Sequence, residues 1–521
     1  MRSAGVLMPI FSLPGRYGIG CFGKEAYRFV DELKAAGQSF WQILPLGPTS
    51  YGDSPYQSYS TFAGNPYFID IESFPEEVLP KKLIAKYDFG KDEHGIDYGK
   101  LYEGRLDLLY HAYQVENYCG LEKEFPDFEP FCRAHAFWLE DYALYMALKE
   151  EHKGLPWYEW EKGIREHDEQ ALANLRQSLG DRIRFHKWLQ FKFFTQWSHL
   201  KKYANDLGLY FIGDLPIYVS YDSSDVWAAP KLFRMDEKRR PTWVAGVPPD
   251  AFSATGQLWG NPVYDWSYHR QTGYAWWISR IEHSFKLCDM LRLDHFRGFD
   301  EYYCVPFGDA TAEHGHWEKG PGMELFEAIS SWRHKNAPSG EAKQSIKAMG
   351  AETGEDRLPI IAEDLGILTD SVRRLLKDSG FPGMKVFEFG MDPHEDSDYR
   401  LHNWVKNSIG YTGTHDNQSL KGWISGLSKE ELRYLEDYLG LKGRPKEELS
   451  DHIIRAVFGS VADTVIIPMA DWLGLGDEAR INAPSTLGGN WSWRMDKKAF
   501  DKKLIKKMRG LTELYSRITK R

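Results

Sequence analysis

Between Met290 and Gly298 the chain reads Met-Leu-Arg-Leu-Asp-His-Phe-Arg-Gly, an apolar stretch in which Leu291 and Leu293 alternate with Arg292 and Asp294. In an extended chain that alternation sends the leucines to one face and the charged pair to the other. Seven further short apolar stretches read as strands, at residues 5–10, 40–46, 209–219, 359–366, 384–389, 409–414 and 464–468. Between them the apolar spacing lengthens to that of helices. Over 24–36 it falls on Ala26, Phe29, Val30 and Leu33, and Gly37 stops it. Helices are likewise predicted over 137–149, 184–207 and 274–287, and from a Thr369 cap through Val372, Leu375 and Leu376 to Gly380. From Lys497 onward the pattern is that of a basic amphipathic helix flanking the rest.

Eight strands separated mainly by helices place the chain in the α/β class, as a (β/α)8 TIM barrel. Its 521 residues exceed what a plain barrel needs. The reading is therefore one catalytic barrel over 1–521, with subdomains inserted in its βα loops at about 47–180, mostly helical, at 220–270 and at 299–358. A structureless loop as long as the first of these is improbable in a compact domain. Within the second, the prolines and glycines from Val244 to Pro262 forbid a regular element, leaving an ordered functional loop or a connector. No closely spaced strands follow the eighth, so no C-terminal β-sandwich is expected. Gly15, Gly18 and Gly20 lie in a turn without the spacing of a nucleotide-binding loop.

Charge and composition narrow the ligand. Lys and Arg total 65 against 75 Asp and Glu, a net −10, which argues against nucleic acid and for a neutral or cationic partner. Aromatic residues make up 15% of the chain, with 19 Trp and 29 Tyr; most belong in a core, but such rings also suit the apolar faces of sugars. Five cysteines, odd in number and without a Cys-x-x-Cys pair, give neither a disulfide framework nor a zinc site and fit a reducing cytoplasm. The first apolar run is broken by Pro9 and Pro14, so neither a signal peptide nor a membrane anchor is expected.

In barrels of this kind reacting groups lie at the C-terminal ends of the strands. There the sequence puts Asp214 on the third strand, Arg292 and Asp294 on the fourth, Glu363 and Asp364 on the fifth, and His415 and Asp416 on the seventh. Singly, each is as well explained by a structural role; together on one rim they point to chemistry. Converging carboxylates serve either as hard-metal ligands or as the acid and nucleophile of glycoside cleavage. Arg292 and Arg297 bracket Asp294 and would compete with a cation, so neither metal nor cofactor is expected. Arg292 would keep Asp294 ionised, and the charges of Asp294 and Asp416 would hold Glu363 protonated.

Three motifs, Leu291-Arg-Leu-Asp-His-Phe-Arg-Gly298, Ile361-Ala-Glu-Asp-Leu-Gly366 and Thr412-Gly-Thr-His-Asp-Asn417, resemble the catalytic motifs of the 4-α-glucanotransferases, the amylomaltase or disproportionating-enzyme family (glycoside hydrolase family 77). The loop from Gly246 to Val263 is similar to that family's long active-site loop, and Ser12-Leu-Pro-Gly15, Ser54-Pro-Tyr-Gln57 and Asn490-Trp-Ser-Trp-Arg494 extend the resemblance along the chain. The resemblance implies Asp294 as nucleophile, Glu363 as general acid/base and Asp416 as the carboxylate that binds and distorts the donor sugar. It implies further that Tyr56, Asp214, Asp250, Phe252, Gln257, Trp259, Arg292, His295, His415 and Asn417 bind substrate. Malto-oligosaccharides and α-1,4-glucans would be the partners, in the cytoplasm, with monomer and dimer both open. Two positions depart from the family pattern: Ala470, where Gln is expected, and Glu388, where a neutral residue is usual. The rival readings are an α-glucan hydrolase of the α-amylase class and a non-catalytic glucan-binding protein.

Overall fold

The structure, a computed structural model, describes residues 2–50, 52–118, 120, 125–249, 253–336, 358–366, 368–486 and 488–518. In chain order the strands are β1 (Ser3–Leu7), β2 (Phe40–Gln42), β3 (Tyr210–Leu215), β4 (Trp243–Val247), β5 (Gln257–Pro262), β6 (Met290–Leu293), β7 (Glu301–Pro306), β8 (His316–Lys319), β9 (Ile360–Ala362), β10 (Gly383–Val386), β11 (Ser408–Tyr411) and β12 (Thr464–Pro468). Eight of them close into a barrel in the order β1-β12-β11-β10-β9-β6-β3-β2, with every neighbouring pair parallel. These are the eight strands read from the sequence, in shorter form. Prolines cut two of them: Pro216 follows β3 directly, and Pro45 lies in the segment beyond β2.

The alternation of apolar and charged residues becomes the inside and outside of the barrel. Ile212, Met290, Ile361, Ile409 and Tyr411 fill the interior with Leu7, Phe40 and Ile466. Leu291 and Leu293 point outward into the larger core shared with the helices. One step further along the inward face, the apolar filling gives way to Asp214, Arg292 and Glu363. The polar layer lies at the C-terminal rim because the strands end there.

Helices pack outside as their spacing predicts. Lys24–Ala35 buries Ala26, Phe29, Val30 and Leu33; Asp370–Ser379 is capped by the Thr369 hydroxyl and ends at Gly380 in the left-handed region. The insertion between β2 and β3 carries helices Tyr98–Tyr118, Phe128–Ala134, Ala136–Glu151, Glu169–Ser178 and Gly180–Asp206, the last delivering the chain to β3. The C-terminal amphipathic helix is Lys502–Leu514, capped by Asp501. Among the described residues no strand follows β12, and no helix is long and apolar enough to cross a membrane.

The expectation for Val244–Pro262 is corrected. Instead of an irregular loop, β4 and β5 form an antiparallel pair with a register shift between Val244 and Gly246. That pair belongs to a four-stranded sheet in the order β5-β4-β7-β8. The prolines do not prevent it, because Pro248 and Pro249 lie beyond the end of β4 and Pro262 ends β5. The bulge absorbs the irregularity, and β7 supplies a second partner that only the folded chain brings to β4. The insertions after the third and fourth barrel strands are thus stitched into one sheet.

Candidate active site

The rim is organised by Arg292. The register of β3 and β6 places Asp214 beside it, and Nη1 donates to both Asp214 oxygens at 2.7 and 2.8 Å and to Asp294 Oδ1 at 3.0 Å. Burial opposes the guanidinium charge, yet Asp214 and then Asp294 hold its pKa well above the usual value. With Oδ1 facing Arg292, Asp294 keeps Oδ2 for other work; its side chain is 28% exposed. Arg297, the other cation of the motif, lies over the Trp317 ring at 3.9 Å.

Glu363 follows β9 one inward step beyond Ile361. Its Oε2 accepts the backbone N–H of His295 at 2.7 Å and its Oε1 that of Leu365 at 2.8 Å. To present that amide, His295 takes a left-handed backbone conformation (φ 50°), which costs a non-glycine residue about 1–2 kcal/mol. The Glu363 carboxyl is pushed up to about 8, by burial first and by the Asp294 charge in addition, against the pull of Arg292 and the two amides. The sequence reading credited neighbouring charges alone; burial leads because the carboxyl is set deep between strand ends. The His295 ring, pushed down to about 4 by burial, is neutral at pH 7 and meets the Trp259 ring edge-on at 4.9 Å. Trp259 stands on β5 and donates its indole N–H to Gln257 Oε1 at 3.3 Å.

Across the rim, Tyr56 donates its hydroxyl to Asp214 Oδ2 at 2.8 Å and lies 2.8 Å from His415 Nε2. Burial, then Asp214, keeps the phenol protonated. Since its one proton goes to Asp214, Nε2 of His415 carries a proton toward the Tyr56 oxygen. The two rings stack at 5.2 Å and 14°. Asp416, 46% exposed, has Oδ2 3.4 Å from His415 Nε2 and accepts from Asn482 Nδ2 at Oδ1, 2.7 Å. Its carbonyl accepts from Arg480 at 3.1 Å.

Asn417 turns inward. Its Oδ1 accepts from the Thr414 backbone and hydroxyl at 2.9 and 2.8 Å, and its side chain hydrogen-bonds Glu388, so it braces the turn that carries Asp416. Glu388 is buried with Oε1 unpartnered, and burial together with the nearby Asp471 raises its pKa well above the carboxylate range. A neutral acid there stands in for the neutral residue the family pattern leads one to expect. Asp364 faces away from the rim, accepting the Met384 N–H at 2.6 Å and tying β9 to β10. Asp250 and Phe252 lie outside the described residues.

The structure thus brings together Asp214, Arg292, Asp294, Glu363, Tyr56, His295, His415, Asp416 and Trp259. Sequence reasoning missed Asn482 and Arg480, which sit in a segment without periodicity and carry no signal beyond being polar. A further cluster of metal-binding residue types, Cys304, His316 and Glu318, lies on the small sheet, where Arg234 already pairs with Glu318 at 2.7 Å.

Known proteins resemble this chain over nearly its whole length. The chain is 45% identical over 514 residues to a 4-alpha-glucanotransferase of Clostridium butyricum, covering 98% of this chain and 100% of that one. It is 45% identical over 515 residues to one of Aquifex aeolicus, covering 98% and 99%. The solved structure of an amylomaltase from Streptococcus agalactiae in complex with acarbose matches it with a TM-score of 0.91 at 41% identity, covering 100% of both chains. The model of glycoside hydrolase family 77, described as 4-alpha-glucanotransferase, matches residues 8–499, and the chain belongs to that family.

Proposed function

We infer that this protein is a 4-α-glucanotransferase that moves a segment of an α-1,4-glucan onto the 4-hydroxyl of an acceptor glucose or glucan. The observation that carries the mechanism is the pairing of an arginine-held carboxylate, Asp294, with a buried carboxyl, Glu363, whose pKa is raised to about 8. Asp294 accepts from the Arg292 guanidinium while Glu363 holds its proton near neutral pH, the nucleophile and acid that retaining glycoside chemistry requires. In this account Asp294 Oδ2 attacks the anomeric carbon while Glu363 gives its proton to the departing glycosidic oxygen, leaving a glycosyl ester on Asp294. Glu363, now ionised, takes the proton of the incoming 4-hydroxyl, and the second displacement restores the α configuration. Asp416, steadied by Asn482 and by the Asn417 turn, grips hydroxyls of the donor sugar. Tyr56 stacked on His415 forms the side of that subsite, and Trp259 and Gln257 wall the cleft against water. A cytoplasmic location belongs to the same reading and is supported by the free thiols of Cys21, Cys132, Cys288 and Cys304.

The test is covalent. Glu363→Gln protein given an α-maltosyl fluoride donor, whose leaving group needs no proton, should gain the mass of a maltosyl unit on the peptide that contains Asp294. A label on any other residue contradicts the assignment, and so does transfer that survives Asp294→Asn.

A further inference from the structure

Tyr56 reaches the catalytic rim from a loop outside the barrel strands, yet its hydroxyl is set on Asp214 Oδ2 at 2.8 Å. Packing alone does not fix that distance. A cavity of about 70 Å³ lined by Tyr56, Thr61, Asp214 and Arg280 lies between the loop and the end of β3, and atoms facing a void lack contacts on that side.

The fastening comes from the helix Ala275–Leu287, which leads into β6 and so to Arg292 and Asp294. Arg280, buried on that helix, donates from Nε to the Thr61 hydroxyl at 2.6 Å. Its Nη1 donates to the Ile217 carbonyl at 2.9 Å and its Nη2 to the Pro216 carbonyl at 2.6 Å. One planar guanidinium thus ties the chain shortly past Tyr56 to the chain just past Asp214. Tyr264 shares the knot, accepting from Nη1 at 3.2 Å and donating its hydroxyl to the Ile217 carbonyl at 2.8 Å. The Trp277 ring lies 4.8 Å from the guanidinium carbon. One turn further along the helix, the His283 ring is pushed down to about 3 by burial and is neutral. It donates from Nε2 to the Phe62 carbonyl at 2.8 Å. From the helix Ser224–Ala228, Asp225 accepts the Thr61 backbone N–H at 2.8 Å. Burying a cation is unfavourable unless its donors are used, and here they are used on the two segments to which Tyr56 and Asp214 belong.

We propose that Arg280 is a positioning residue for the reaction: through Thr61 it sets the Tyr56 hydroxyl on Asp214, which in turn holds Arg292 against Asp294. The proposal rests on the reading of this rim as the reacting site. Displacement of a positioned group by about 1 Å costs on the order of 10²-fold in rate, so a tie remote from the reacting atoms still bears on turnover.

A double-mutant cycle tests this. Thr61→Val keeps the shape of the side chain and removes the hydroxyl that Arg280 holds. The kcat/KM for maltotriose should fall roughly tenfold, the equivalent of one hydrogen bond to a charged group, and Thr61→Ser should stay near wild type. In Tyr56→Phe protein, which has no hydroxyl left to place, Thr61→Val should cost less than about twofold. Arg280→Lys, whose ammonium lacks the fixed fork, should show the same dependence on Tyr56, and it reads the same tie if Thr61→Val fails to fold. A merely structural role gives the same fold-loss in both Tyr56 backgrounds, and that result overturns the proposal. Full activity of Thr61→Val overturns it too, as does a Thr61→Ser variant as impaired as Thr61→Val. The rate followed is consumption of maltotriose, which counts transfer and hydrolysis alike. A rising total of reducing ends would therefore remove the transfer reading and leave the positioning role to stand or fall on the cycle, whereas no consumption by the wild-type protein would end both.

Discussion

Replacing Glu363 by Gln should change the stability of this protein in a way that depends on pH. The folded carboxyl has its pKa raised from 4.5 to about 8, whereas in the unfolded chain it titrates at about 4.3. Between those values the folded state holds a proton that the unfolded state has released, so stability falls as pH rises through that window, and the full penalty is present above about pH 8. At about 1.4 kcal/mol per pH unit the ceiling is about 5 kcal/mol, and solvent in the open cleft lowers this to roughly 2–3 kcal/mol. Gln carries no such penalty. It does disturb one of the two backbone contacts, because its NH2 cannot accept from the Leu365 or His295 amide, but that cost is the same at every pH. The readout is therefore the difference in melting temperature between variant and wild type, followed from pH 5 to pH 9 by calorimetry. For a chain of this length roughly 1 °C corresponds to 1 kcal/mol, so the difference should move in favour of Glu363→Gln by about 2–3 °C across the range. A constant difference, or one that moves toward wild type as pH rises, would refute the raised pKa and the acid role built on it.

Three further outcomes follow from the same contacts. The kcat/KM for maltotriose should fall on the alkaline side with an apparent pKa near 8 as Glu363 loses its proton, a limb absent when Glu363→Gln acts on α-maltosyl fluoride. Arg292→Met leaves Asp214 buried without its cation and should cost about 3–5 kcal/mol in denaturant unfolding, together with roughly 10²-fold in kcat. Glu388→Gln removes an acid buried beside Asp471 while keeping an amide for Asn417; it should stabilise the fold by about 1–3 kcal/mol at pH 7, with kcat little changed.

The barrel was legible because each strand carries its own alternation. Met290, Arg292 and Asp294 share one face and Leu291 and Leu293 the other, and closing the sheet turns those faces into inside and outside. Asp214 and Glu363 were legible for the same reason, since each lies one step past an inward apolar residue, Ile212 and Ile361, and Asp294 lies one step past Arg292 on the same face. The small sheet was not, because Trp243–Val247 is short and bulged and takes its other partner from Glu301–Pro306, well downstream. Nor was the role of Asn417, whose amide looks available in sequence and is taken up by Thr414 and Glu388 in the fold. Asn482 holds Asp416 from a loop with no pattern, a contact that only tertiary closure creates. The cause of the Glu363 shift was half legible: the neighbouring charge is visible in the motifs, but burial is a property of the assembled rim.

Transfer is told from hydrolysis by incubating the purified protein with maltotriose, without added cofactor, and following the product ladder and the total of reducing ends together. Each transfer consumes one reducing end and frees another, so glucose and a ladder of longer oligosaccharides at a constant reducing-end total is the predicted result. A rising total would make the protein a hydrolase, and an unchanged maltotriose peak would contradict any action on this sugar.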